Sequence, residues 1–309
     1  MTTTAKVVAD SVSPQGKRLI TWVTRYPWQI HGEVMTHRVF SRNASSNRAV
    51  PIAKMLEEVR NPDLRAYPSF AVVAGKGMTG GEPTTPTQRR AFRMAWDQAA
   101  LKAADAAEVL STLGAAKQDV NRLLMPFTHA NVIITATEVD NFFGLRLDAA
   151  ADPTMRELAE MMWYSMKASE PKPLKPGEWH LPFIGDNERE AAAFTAMHDA
   201  MFDPVQALVK VSVARCARVS YQSFETGKLS TVAEDLALYD RLVGQRVLHA
   251  SPAEHQATPD QLAKAALPLV EGEVCWEYPE EHGNLVGWRQ LRKMLPGESR
   301  APLPEGYSL

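Results

Sequence analysis

Between Met35 and Arg48 the chain reads Met-Thr-His-Arg-Val-Phe-Ser-Arg-Asn-Ala-Ser-Ser-Asn-Arg, which packs three arginines, a histidine, two asparagines and three serines into one short stretch. That is more hydrogen-bonding capacity than a loop uses on itself. Serine hydroxyls, main-chain N–H groups and arginine forks at a helix end are the usual means of holding a phosphate, so the chemistry this stretch offers is anion binding. A solvated, serine-rich turn is the alternative use of the same residues. Further along, Arg122 stands one turn before Pro126, where a cation also favours the helix dipole by about 0.3–1 kcal/mol. Arg146 follows an aromatic run and could equally be an ordinary salt-bridged arginine. His249 and His255 flank Ser251-Pro252, but their spacing is not that of a helical metal-binding pair, and no metal is expected. Cys216 and Cys275 are the two cysteines, and neither stands in the setting of an activated nucleophile.

Composition bounds the rest. The chain has 309 residues, 45% of them hydrophobic, and carries a formal charge of −2 with a pI near 6.5. It is long enough for one large core or two modest ones. The charge implies no general attraction to nucleic acid or to an anionic membrane, so a phosphate site must be local. No apolar run approaches the roughly 20 residues that span a bilayer. Two cysteines without a CxxC and without a signal peptide point to a reducing, cytoplasmic setting.

The elements that must position these residues can be read in order. Residues 5–12 and 18–24 are β-branched and aromatic-rich around Ser13-Pro14-Gln15-Gly16, which predicts a hairpin. Pro27 is placed to open a helix with Ile30, Val34 and Met35 on one face, ending near Arg38 and running into the polar loop. Short helices are expected over 50–59 and 117–124, with a mobile Gly/Pro/Thr-rich loop over 61–86. The longest helix is expected over 87–113, with Phe92, Trp96, Ala99, Ala103, Ala106, Leu110 and Leu113 as its apolar stripe and Gly114 as its stop. A strand over 132–137 precedes a segment, 138–146, that packs through Phe142, Phe143 and Leu145, and another helix spans 153–167. Residues 170–177 form a proline-rich connector. A helix over 188–201 leads to a strand-like run over 207–221, and Thr231 to Glu234 is a capping box opening a helix to about Val243. The same logic predicts a helix from Thr258-Pro259-Asp260-Gln261, and 287–293 reads as a basic helical patch. Trp179 to Phe183 reads as an apolar plug from which His180 could reach a neighbouring site.

His37-Arg38, seven intervening residues, Ser46 and then Arg48 resemble the signature of the flavin-dependent thymidylate synthases. Arg122-Leu123-Leu124-Met125-Pro126 resembles that family's Arg-x-x-Leu-Pro, and Asn141-Phe142-Phe143-Gly144-Leu145-Arg146 its Asn-Phe-Leu-x-Leu-Arg. Ala217-Arg218-Val219-Ser220-Tyr221 and His249-Ala250-Ser251-Pro252-Ala253-Glu254-His255 resemble its N-terminal blocks, but here they are C-terminal. The resemblance covers about half the chain. It implies a circularly permuted α+β fold, an antiparallel sheet with long helices, forming one domain over 1–309. Residues 1–167 would be the family core, 168–210 the join and 211–309 the permuted N-terminal region plus an extra helix; such a join is permissible because chain ends usually lie close together at the surface.

The resemblance also implies the chemistry. FAD is the cofactor, with methylenetetrahydrofolate and NADPH as co-substrates, and dUMP is methylated to dTMP in sites shared between subunits of a homotetramer. His37, Arg38, Val39, Asn141, Ser220, Ser251 and Glu254 correspond to FAD-binding positions. Glu33, Ser46, Asn47, Arg48, Arg122 and Arg146 correspond to nucleotide-binding ones, and Arg122, Arg146 and His249 to the catalytic set. The departures are Thr36 for the triplet's first Arg, Glu33 for a Gln, Ala44 for a Glu, Ala49 for a Tyr and Asp152 for a Gln. They leave open another pyrimidine nucleotide, such as dCMP, as substrate, and also a flavin- and nucleotide-binding homologue without activity. Arg292, in the basic patch, is expected to supply the missing cation.

Overall fold

The computed structural model describes residues 3–76, 80–199, 201–220, 230–243, 248–263 and 274–298. The hairpin forms as its sequence predicts. β1 (Thr4–Val12) and β2 (Arg18–Pro27) pair antiparallel, and Gly16 closes the turn at φ +77, a conformation that glycine adopts without steric cost. β4 (His129–Ala136) pairs with the other edge of β2, and β3 (Ser41–Ala44) pairs with β4. β5 (Lys172–Pro173) runs parallel to β1, so the five-stranded sheet, in order β3-β4-β2-β1-β5, is mixed rather than purely antiparallel. The proline-rich connector supplies that edge strand because Pro173 has no N–H to donate and is tolerated only at an edge.

Both faces of the central strands are covered, which is why β2 and β4 read as near-continuous apolar runs. On one face Ile20, Trp22, Val132 and Ile134 pack with α5 (Asp140–Arg146) and α6 (Pro153–Lys167) through Phe142, Phe143, Met155, Leu158 and Met162. Trp22 Nε1 donates to Met162 O at 3.2 Å. On the other face Val23 and Ile133 meet Cys216, Val219 and Phe183 from the C-terminal half. A separate helical layer of α2 (Ile52–Arg60), α3 (Pro86–Thr112) and α4 (Lys117–Leu124) closes around Met55, Val59, Ala100, Ala104, Ala107, Val120 and Leu124. Gly114 stops α3 at φ +84, as expected.

Several expectations are corrected. The buried stripe of α3 is Ala100, Ala104 and Ala107, while Phe92, Leu110 and Leu113 are exposed; small residues let α2 and α4 approach closely, and of the expected bulky stripe Trp96 packs at the edge of that layer. Leu145 is likewise 54% exposed. Pro27 ends β2 instead of opening a helix, and only a 3₁₀ turn (Trp28–Ile30) and the four-residue α1 (His31–Val34) follow. The guanidinium of Arg42 takes the carbonyls of Val34, Met35 and His37 at 3.3, 2.9 and 3.1 Å, which satisfies the helix end four residues before Arg38. Part of the expected polar loop is β3 itself.

In the C-terminal half, the run expected as a strand over 207–221 is helix α8 (Pro204–Ala217), after α7 (Asp186–His198). Pro204 stands at its first position, and Asp203 Oδ1 accepts from the N–H groups of Val205 and Gln206. A helix covered on all sides has no polar face, so its valines mimic a buried strand. Residues 221–229, including Tyr221, lie outside the described residues. The capping box expected at Thr231 and Glu234 opens α9 (Val232–Val243). Thr258 does not begin a helix: β6 (Ala257–Pro259) pairs with β7 (Trp288–Gln290), and Thr258 Oγ1 accepts from Gly177 N. The basic patch is therefore a strand followed by the short α10 (Leu291–Met294).

Candidate functional site

Arg146 ends α5, and its side chain is fixed because Phe142 and Phe143 on the same helix are buried in the main core. From there Arg146 Nε donates to His37 Nε2 at 3.0 Å, and Nη1 reaches Glu33 Oε2 at 3.4 Å. His37 is itself buried, lying edge-on against Phe142 with ring centroids 4.9 Å apart. Burial first, then the charges of Arg146 and Arg42, hold its imidazole below the ordinary histidine pKa. A neutral His37 that accepts at Nε2 carries its proton on Nδ1. Glu33 is held above the usual carboxylate range by burial and by Asp152, against the pull of Arg146. Asp152 also caps α6, accepting from Met155 N at 2.9 Å. Three candidate residues from two distant blocks thus form one cluster.

A second cluster forms around Ser41 of β3. The 3₁₀ turn Ser251–Glu254 is tied to the strand by Gln290, whose Nε2 donates to Ser41 Oγ and to Glu254 O, each at 3.0 Å. Ser41 Oγ in turn donates to Asn284 Oδ1 at 3.1 Å. The Glu254 carboxylate pairs with Arg292, which also binds Glu298 at 3.0 Å. Burial raises the Glu254 pKa, while Arg292 and Arg42 lower it. Arg292 is therefore the partner of a candidate flavin-binding residue and not a free cation filling the place of the absent arginine. Thr36 is exposed and donates its hydroxyl to Glu33 O at 2.7 Å.

The loop beyond β3 is held by Asn121, whose Nδ2 donates to Asn47 O at 2.8 Å and Val50 O at 2.9 Å. Ser46 Oγ accepts from Arg48 N at 3.3 Å. Ser45, Asn47 and Ala49 line a cavity of about 310 Å³, whereas Ser46 and Arg48 are exposed. Among the described residues no carboxylate pairs with the exposed guanidinium of Arg38 or Arg48.

No hydrogen bond or ion pair among the described residues joins the other candidates to His37, Arg146 or Arg292. Arg122 is exposed and pairs with Asp119 at 3.4 Å. Val39, Asn141, His249 and Ser251 are exposed, and the side chain of Ser220 lies outside the described residues. His180 and His255 are buried in a hydrogen-bonded chain instead of reaching a site: His180 bonds Ser11 at 2.9 Å and Thr21 at 2.8 Å, and His255 bonds Thr135 at 2.8 Å. Arg42 was not singled out in the sequence, although its place in the basic loop was the available signal. Glu58 and His129, bonded at 2.7 Å beside the cavity, lie in no motif and gave none.

No curated protein matches the chain. Two solved structures of the UMP/dUMP methylase PolB from Streptomyces cacaoi are similar to it, one bound with 5-Br UMP (14% identity, TM-score 0.42, 54% of this chain and 89% of that one). The other is bound with 5-Br dUMP (16% identity, TM-score 0.43, 54% of this chain and 90% of that one). The profile of the thymidylate synthase complementing proteins matches residues 15–172, about half of the chain, and spans the signature loop, Arg122 and Arg146. The chain belongs to that family, the flavin-dependent thymidylate synthases.

Proposed function

We propose that the chain catalyses the reductive methylation of dUMP to dTMP, with FAD as cofactor, methylenetetrahydrofolate as carbon donor and NADPH as reductant. The observation that carries this reading is the hydrogen bond between Arg146 and His37, which joins two blocks 109 residues apart. The residues fit an anionic cofactor: Arg38 and Arg48 are exposed cations without a carboxylate partner among the described residues, and such cations suit phosphate groups. FAD, when bound, supplies the redox chemistry.

The chain's own residues then bind and orient. Arg48, with Ser46 and Asn47, takes the nucleotide phosphate, while His37, Arg38, Val39 and Glu254 border the flavin. Arg146, whose Nε is committed to His37 and whose Nη1 reaches Glu33, keeps Nη2 for the pyrimidine carbonyl, and its charge stabilises negative charge developing on the ring. Arg292 acts through Glu254 as a positioning residue. Glu33 favours a second reading, because a carboxylate near the base accepts a hydrogen bond from an exocyclic amine, which suits dCMP.

The exposed candidates Arg122, Asn141, Ser251 and His249 support sites completed by a neighbouring subunit, in a homotetramer. The family's N-terminal blocks packed beside β3 from the C-terminal side, through Gln290, support a circular permutation within one domain, with 168–210 as its join. Purified protein is expected to absorb as a flavoprotein after FAD addition and to oxidise NADPH when folate and dUMP are present, or dCMP on the second reading. Arg146→Ala is expected to lower kcat/KM by roughly 10–100-fold, the loss of one to two charge-assisted hydrogen bonds. No flavin uptake at saturating FAD overturns the enzymatic reading.

A further inference from the structure

Three neighbouring strands each carry one hydroxyl toward His180 and His255: Ser11 on β1, Thr21 on β2 and Thr135 on β4. Thr21 and Thr135 stand opposite each other in the β2–β4 register, with their oxygens 2.7 Å apart. His180 bridges from there to β1, its Nε2 lying 2.8 Å from Thr21 Oγ1 and its Nδ1 2.9 Å from Ser11 Oγ. His255 forms the other end, with Nδ1 2.8 Å from Thr135 Oγ1 and Nε2 enclosed without a partner. None of the five side chains is more than 5% exposed, so an idle proton or an unmet lone pair in the middle of the chain cannot turn to solvent.

The available protons allow few arrangements. Each neutral imidazole has one N–H and each hydroxyl one O–H, and burial keeps both rings neutral at pH 7. If every link points from Ser11 toward His255, both rings carry their proton on Nε2; if every link points the other way, both carry it on Nδ1. Rings in unlike forms break this economy. With His180 protonated at Nε2 and His255 at Nδ1, one threonine O–H at 0% exposure has no acceptor. With the reverse pair, both threonines donate outward and no proton lies between two oxygens 2.7 Å apart. Of the two uniform directions, the Nε2 form ends on a buried N–H with no acceptor at His255. The Nδ1 form ends there on an unmet lone pair, which is the less rare defect.

We infer that His180 and His255 are the linked halves of one directional hydrogen-bond chain, both protonated at Nδ1, whose direction reverses only as a unit. A change of proton at Ser11 is then felt at His255, across β2 and β4. His255 directly follows Glu254, so the chain ties the end of the 251–254 turn to the far side of the sheet. The linkage stands or falls independently of the methylation reading, because it involves neither Arg146 nor His37.

The test is ¹⁵N NMR of the histidine-labelled protein at pH 7, which separates a protonated ring nitrogen from an unprotonated one. In the wild type both rings should be protonated at Nδ1, and a proton on Nε2 of either ring overturns the proposal. Ser11→Ala removes the acceptor of the His180 N–H. It should move both rings toward the Nε2 form to the same extent, although three contacts separate His255 from His180. Thr21→Val removes the central hydroxyl at similar volume, and in that background Ser11→Ala should leave His255 unchanged. A His255 ring that ignores Ser11→Ala when Thr21 is present, or that follows it when Thr21 is valine, overturns the linkage. The wild-type spectrum decides the matter even where a variant fails to fold.

Discussion

A chain of buried side chains crosses the sheet from Ser11 through His180, Thr21 and Thr135 to His255, with successive contacts of 2.9, 2.8, 2.7 and 2.8 Å. Both histidines sit where a charge cannot be solvated, and burial pushes each down from 6.5 to about 3. Above pH 6.5 they are neutral folded or unfolded and contribute no pH dependence. Below it the unfolded chain takes up protons that the folded chain refuses until about pH 3, so stability falls across that window. By pH 5 the loss should be roughly 2 kcal/mol for each histidine, which urea unfolding at pH 7, 6 and 5 will read; a flat profile would contradict neutral burial. None of this could be read from His180 and His255 themselves, since one stands in an apolar plug and the other in a polar turn. By contrast, His37 and Arg146 were picked out by their motifs and are bonded to each other, while the pairing of Arg292 with Glu254 gave no signal in the sequence.

At the scale of elements, the places where local rules succeeded are those where the deciding energy is local. The capping box at Thr231, the proline opening α6 and the glycine after α3 act within a turn of the residues they govern. The misreading of α8 as a strand has a different origin: it is packed by α7, α9 and the turn at 251–254, and it holds a buried ion cluster that no periodicity reveals. Arg215 donates to Asp235 Oδ2 at 3.1 Å and to Glu188 Oε1 at 2.9 Å, and Arg218 donates to Asp235 Oδ1 at 2.8 Å. Asp235 is fully buried and clamps α8 to α9. Asp235→Ala leaves both guanidinium groups without that partner and is expected to cost about 3–5 kcal/mol of unfolding free energy in urea, whereas Glu188→Ala, at a more exposed partner, should cost less.

At the scale of the molecule, the candidate residues are divided between those gathered in one chain and those left outward. His37, Glu33 and Arg146 are together, whereas Arg122 points to solvent beside Asp119. Shared sites make a prediction that a self-contained site does not. Arg122→Ala and Arg146→Ala subunits, each impaired alone, should recover roughly a quarter of wild-type activity when mixed one to one and reassociated, because a quarter of the shared sites then take both arginines intact from different subunits. Activity remaining at the background of the separate variants would place both arginines in the site of one subunit.

The sequence by itself determined the hairpin, α4, α6, the cap of α9 and the membership of the family, because alternation, capping residues and short motifs are properties of neighbours along the chain. Only the tertiary structure decided that β5 runs parallel at the edge, that α3 buries its alanines, that Arg42 ends α1 and that Arg292 serves Glu254. The same holds for Glu58 and His129, 71 residues apart, which become a dyad only when α2 and β4 meet. Burial on a second face and pairing across distant segments depend on what the rest of the chain brings against a residue, and no window of its own sequence contains that information.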